Sequence, residues 1–148
     1  MLDFSVGSIE PPMNRTEKIE SFEDLEIWQV AMNLLVEVYD WVEEFPSAER
    51  YGLTSQLTRS AVSIPSNIAE GWGRGRGPGQ AQFMRYARGS TYELLTQLEA
   101  ARRLGFGNAA RAQSLREGYV KLGKQLNAYL SWLESKIVRE DTASYGDE

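Results

Sequence analysis

Apolar residues recur through most of this chain at the three- and four-residue steps of an amphipathic helix, and proline and glycine divide them into four runs. In the first run Trp28, Ala31, Leu35, Val38 and Val42 share a face, which Leu34 and Tyr39 broaden. Glu23, Asp24 and Glu26 crowd its start, where the helix dipole favours acids, and Ser21 or Asp24 is placed to cap it. Glu43, Glu44 and Pro46 end it, because the residue before a proline, Phe45, is biased out of helical backbone. The second run spans Gly52 to Gly71, with Leu53, Leu57, Ala61, Ile64, Ile68 and Trp72 on one stripe. In the third, Phe83, Ala87, Leu94, Leu98 and Ala101 share a side, and Gly105 and Gly107 stop the helix after Leu104. Gly89 inside it predicts close approach of a neighbouring helix. The last run is the most regular: Leu115, Tyr119, Leu122, Leu126, Tyr129, Leu133 and Ile137, a spacing close to a coiled-coil seam.

Four such helices with short connections and no strand pattern predict an all-α fold, an antiparallel up-down-up-down four-helix bundle over residues 21–138. Residues 1–20, which include Pro11 and Pro12 and lack any period, read as a mobile N-terminal tail, within which Met13 offers a second start. Residues 139–148 read as a polar, frayed C-terminal tail.

The second helix carries the chain's sharpest local signal. Pro65 interrupts its apolar stripe, removing a backbone donor and crowding the carbonyl of Ala61 at about 3 kcal/mol in a regular helix interior, so a kink is expected near Ala61. Ser60, Ser63, Ser66 and Asn67 are placed to bond the groups so released. The bland reading is a repaired structural helix; the functional one is a polar site on the opposite face.

Composition narrows the chemistry. The 148 residues contain neither histidine nor cysteine, which excludes disulfides, thiolate nucleophiles, Ser-His and Cys-His catalysis and Cys/His zinc sites. An enzyme would have to work with carboxylates, lysines, tyrosines or an oxygen-ligated metal, so a non-enzymatic binding protein without cofactor is the expectation. No apolar run is long enough to span a membrane and no secretory leader precedes the helices, which points to a cytoplasmic protein. The net charge of −5 conceals segregation: residues 50–125 hold twelve Lys or Arg against four Glu, while the flanks hold four against seventeen acids. That arrangement builds a basic surface on an acidic protein, unless acidic helix faces lie beside basic ones and neutralise it.

Two constellations follow. The glycines of GWGRGRGPG, Gly71 to Gly79, lack the preceding strand of a dinucleotide fingerprint and the GK[ST] of a P-loop. The segment reads either as a hinge with solvated arginines or as the start of a phosphate contact, in which the amides opening the third helix act with Arg74 and Arg76. With Arg85 and Arg88 these form the candidate nucleic-acid-binding set. The second constellation is a polar stripe in which Arg59, Ser63, Asn67 and Glu70 face Ser90, Glu93 and Gln97. It predicts a buried Arg59–Glu93 pair that sets register rather than catalysing. Trp72 beside Arg74 suggests base stacking, with core packing the plainer account. Leu34, Val62, Leu95 and Trp132 lie partly off the main stripes, as residues at subunit contacts do.

FEDLEIWQVA (Phe22 to Ala31), YGLTSQLTRSAVSIPSNIAEGWGR (Tyr51 to Arg74) and ARGSTYELLTQLEAARRLG (Ala87 to Gly105) resemble the signature of the small bacterial four-helix-bundle proteins encoded within intervening sequences of 23S rRNA genes. The similarity covers Ser21 to Ile137. It implies a ring-shaped homopentamer, and relatives include the accessory protein of diversity-generating retroelements, which works with a reverse transcriptase and nucleic acid. It implies no catalytic residues; the matching positions, among them Trp28, Gln29, Pro65, Gly71 and Gly89, look structural. The chain departs from its relatives at GRGPGQAQ, where extra glycine and Gln80 replace a polar turn containing phenylalanine. The expected partners are therefore other copies of the chain and RNA, DNA or a nucleic-acid-processing protein, with no membrane. The alternative is a purely protein-binding helical module.

Overall fold

A computed structural model describes residues 18–146. Residues 1–17 of the tail expected over 1–20, with Pro11, Pro12 and Met13, and the last two residues lie outside the described residues. Four α-helices make up the domain: α1, Glu26–Val42; α2, Leu53–Gly73; α3, Pro78–Arg103; and α4, Ala109–Tyr145. Short 3-10 turns, Phe22–Asp24 and Ser47–Glu49, precede α1 and α2. No strand occurs among the described residues.

Each helix packs on two neighbours, α1 on α2 and α4, and α3 on α2 and α4, so the four enclose one core. Cross-helix pairs give the directions. Ser60 meets Gln97 and Ser63 meets Ser90, so α2 and α3 run antiparallel; Arg85 meets Glu134 and Arg88 meets Asn127, so α3 and α4 do too. Leu57, Ala61, Ile64 and Ile68 of α2, Ala87, Leu94, Leu98 and Ala101 of α3, and Leu122, Leu126 and Leu133 of α4 are sealed from solvent, as their periods predict.

In α1 the stripe is rotated by about one residue. The buried row is Ile27, Ala31, Leu34, Val38 and Trp41, whereas Trp28 and Leu35 sit half-buried at its edge and Tyr39 is exposed. Both rows satisfy helical spacing; the entry turn chooses between them. Ser21 accepts from the Glu23 amide and Asp24 from the Glu20 and Ser21 amides, and Phe22 packs edge-on against Trp28 with centroids 5.4 Å apart. The off-stripe residues divide similarly. Leu34 and Trp132 are core, Leu95 packs against it, and only Val62 stays exposed.

The domain is longer at both ends than its periodicity suggests. Ile19 already packs against the core, within the stretch expected to be tail. Helix α4 continues past Val138 to Tyr145, although residues 138–146 are all exposed. Extending a helix the bundle has nucleated costs only propagation, and no glycine or proline intervenes before Gly146. Thr142 and Ser144 turn their hydroxyls onto carbonyls of the preceding turn.

Helix α2 runs through Pro65, which is buried. Ser66 Oγ donates to the Val62 carbonyl at 2.8 Å and Asn67 Nδ2 to the Ser63 carbonyl at 2.8 Å, so both hydroxyl and amide serve the turn before the proline. Ser60 and Ser63 turn instead to α3.

Candidate nucleic-acid interface

Between α2 and α3 the chain reverses in four residues. Gly75, at φ +75°, takes the left-handed conformation that closes the turn, and Pro78 occupies the first turn of α3, where its missing N–H costs nothing. Gly71 is needed for another reason: a Cβ there would lie 3.0 Å from Phe83 Cβ and 3.3 Å from the Gln80 carbonyl, so its absence lets α2 and α3 meet beside the turn. No side chain caps the start of α3.

The four candidate arginines surround this turn but are engaged differently. Arg74 reaches back to Glu70 at 3.2 Å and lies over the Phe83 ring, 5.0 Å from its centroid. Arg85 crosses to α4 and pairs with Glu134 at 2.9 Å, also donating to Gln82. Arg88 donates to neutral Asn127 at 3.1 Å, and Asn127 in turn bonds the Tyr92 hydroxyl. Arg76 lies over Trp132, 5.5 Å from the ring centroid, and no salt bridge of Arg76 or Arg88 occurs among the described residues. The charge of this end is therefore partly neutralised: two arginines are tied to carboxylates, two are not.

Two residues outside the four arginines, Trp132 and Lys136, lie beside this turn. Lys136 stands 5.8 Å from the same Trp132 ring. The spacing of Trp132 and Lys136, one helical turn apart, was visible in the chain; what brings them beside Arg76 is the antiparallel return of α4. Trp72, proposed for stacking, packs half-buried against the core. Burial, eased slightly by nearby Arg76, pushes the Tyr129 hydroxyl up to about 12, so this tyrosine stays neutral beside Trp132.

The polar stripe between α2 and α3 exists with different members. Ser60 donates to Gln97 Oε1 at 2.9 Å, Ser63 and Ser90 share a hydrogen bond of 2.9 Å, and Asn67 Nδ2 reaches Ser63 Oγ at 3.0 Å. Arg59 and Glu93 do not form the expected buried pair; both are exposed and no ion pair joins them. Small hydroxyls let the two helices approach, and that approach excludes long charged side chains to the rim. Ser60, one residue from Arg59 and about 100° around the helix, takes the inward place. Glu70 serves Arg74, at the end of its own helix, rather than α3. Gly89 is likewise outward, with nothing within 4 Å of where its Cβ would stand, so it does not provide the predicted close approach within the chain.

Among the described residues no group of three acidic side chains is gathered to hold a metal, and no helix is long and apolar enough to cross a membrane. Glu26, at the start of α1, has its carboxyl raised above the usual range by burial, opposed by Lys121.

These features define a small all-α protein whose four helices enclose a single core, with a basic, glycine-built turn at one end. The chain belongs to the family of 23S rRNA-intervening sequence proteins, whose model matches residues 23–128. Comparison with curated proteins gave no match. The matched span covers α1, α2, α3 and the first half of α4, and stops before Trp132 and Lys136.

Proposed function

We propose that the protein is a non-enzymatic helical scaffold that assembles with copies of itself, as a pentamer, and binds nucleic acid or a nucleic-acid enzyme through the basic turn between α2 and α3. The observation that carries this reading is the pairing of exposed apolar side chains with arginines that no carboxylate holds. Val36 and Tyr39 on α1, Val62 on α2, and Tyr86 and Tyr92 on α3 are 41 to 64 % exposed, a supply of apolar contact area that assembly would bury. Arg76, and Arg88, which shares Asn127 with Tyr92, stand without carboxylate partners among the described residues. In a ring, the basic turn would recur on every subunit, and modest phosphate contacts would add.

Light scattering on the purified chain tests the assembly, with a pentamer near five times 16.7 kDa expected and a monomer at micromolar concentration overturning it. Titration into labelled RNA and DNA at low salt tests the ligand. Binding with little sequence preference and steep salt dependence is expected. Absence of binding at tens of micromolar favours the second reading, a purely protein-binding module. That reading draws on the carboxylates already holding Arg74, Arg85 and Arg111.

A further inference from the structure

Arg76 and Lys136 come from separate elements, the α2–α3 turn and the last third of α4, yet their charged ends lie 5.5 and 5.8 Å from the centroid of one ring, that of Trp132. Neither makes a salt bridge among the described residues. The acid nearest to Lys136 along α4, Glu134, is engaged by Arg85, and Glu70 is engaged by Arg74. Two cations beside one ring repel each other. The face of the indole offsets part of that repulsion, and an anion between them would offset more. Trp132 itself is only 6 % exposed and its Nε1 donor has no acceptor. The group thus offers two charged donors that make no salt bridge among the described residues, seated on a buried indole.

The surroundings suit a bulky ligand. At Gly73, Gly75 and Gly77 a Cβ would meet nothing within 4 Å, so the turn leaves open space around Arg76. Further along the same α3–α4 face, Arg88 is bonded only to neutral Asn127. A guanidinium fork and an ammonium point charge are complementary donors for the tetrahedral oxygens of a phosphate.

We propose that Arg76 and Lys136, seated on Trp132, clamp a phosphate group, and that the ligand supplying it is the sugar–phosphate backbone of a nucleic acid. The site rests, for its ligand, on the nucleic-acid binding proposed above. It adds a specific locus and a residue, Lys136, outside the basic central segment.

The test uses the full chain and its variants Arg76→Gln, Lys136→Gln and, for an equal charge change near the other end of α4, Arg116→Gln. Two probes are titrated: a labelled single-stranded RNA at several salt concentrations, and inorganic tripolyphosphate by calorimetry. Thermal melts accompany each variant to confirm that it folds. Each clamp substitution is expected to weaken RNA binding about tenfold, the scale of one charge-assisted hydrogen bond. It should also make the slope of log K against log salt shallower by about 0.7 for each subunit that engages the strand, one phosphate contact apiece. Arg116→Gln should do neither. RNA binding that falls equally in all three variants overturns the clamp and leaves the broader reading standing. Tripolyphosphate binding lost in the clamp variants without any RNA binding keeps the anion site but overturns its nucleic-acid ligand. A parent protein that binds neither probe overturns both.

Discussion

The two ends of the bundle are built from similar parts, glycines and arginines between helix termini, yet one is closed and the other open. At the closed end Arg111 of α4 donates to Asp40 of α1 and to Glu44 just beyond its end, and Glu44 also accepts from the Asn108 amide at 3.1 Å. Helix starts there are satisfied by side chains. Asn108 caps α4, accepting from the Arg111 amide at 3.0 Å, and Glu49 accepts from the Leu53 amide of α2 at 3.2 Å. Gly107, at φ +73°, passes so close to Trp41 that a Cβ would lie 2.5 Å from the indole nitrogen. Phe45 fits between Trp41 and Phe106. At the open end, α3 starts without a side-chain cap, Gly75 has a similar φ with free space around it, and Arg76 and Lys136 share a ring instead of a carboxylate. Glycine and arginine serve packing where acids and aromatics from α1 surround them. At the other end Arg74 and Arg85 find acids too, but Arg76 does not, and the same residue types leave one charge unpaired beside an uncrowded turn.

The largest test of this contrast is steric. Gly107→Ala must adopt left-handed backbone and drive into Trp41, at an expected cost of about 3 kcal/mol in a denaturant melt. Gly75→Ala meets only the backbone term, about 1 kcal/mol. Equal losses would erase the distinction between a packed and an open turn.

Charge comes next. Arg111→Gln should lower the melting temperature measurably and Arg76→Gln should not, since only the first strips two carboxylates of their partner. A matching drop in both would mean that Arg76 carries structural load.

The carboxylates of the two ends should respond to pH with opposite sign. Glu99, near the end of α3, accepts from Arg102 and then Arg103, which hold its carboxyl down at about 2 against a usual 4.5. Its stabilising contribution is complete above that usual value and fades as pH falls toward 2. Glu26 is raised by burial, so its ionisation costs stability as pH climbs through and above 4.5. Glu99→Gln should therefore melt lower than the parent at neutral pH, Glu26→Gln higher, and both differences should shrink in acid. Melts between neutral pH and pH 3 would reveal a shared sign if burial and pairing were wrongly assigned.

The smallest effect is expected at Glu93, exposed at the rim of the α2–α3 seam. Glu93→Gln should change stability by no more than about 0.5 kcal/mol. A larger loss would restore the buried ion pair with Arg59 that the geometry replaces by Ser60–Gln97 and Ser63–Ser90.

Local chemistry determined much of this protein directly. The apolar steps of α2, α3 and α4, the halt at Gly105 and Gly107, the turn at the glycine run and the family signature are properties of neighbouring residues, so they can be read along the chain. The facing of the polar rows of α2 and α3 follows too, because a short glycine turn between two helices leaves few other registers, although the individual partner of Ser90 is Ser63. Tertiary structure decided what a helical period leaves degenerate. It chose Ile27 over Trp28 for the core of α1, and it turned Ser60 inward and Arg59 out. It gave Arg85 and Arg111 their acids, and it carried Lys136 from an acidic flank to Arg76 and Trp132. A period names a face to within a residue or so, about 100° of rotation. Burial, close approach and ion pairing depend on which neighbour that rotation meets, and only the packed helices supply the neighbour.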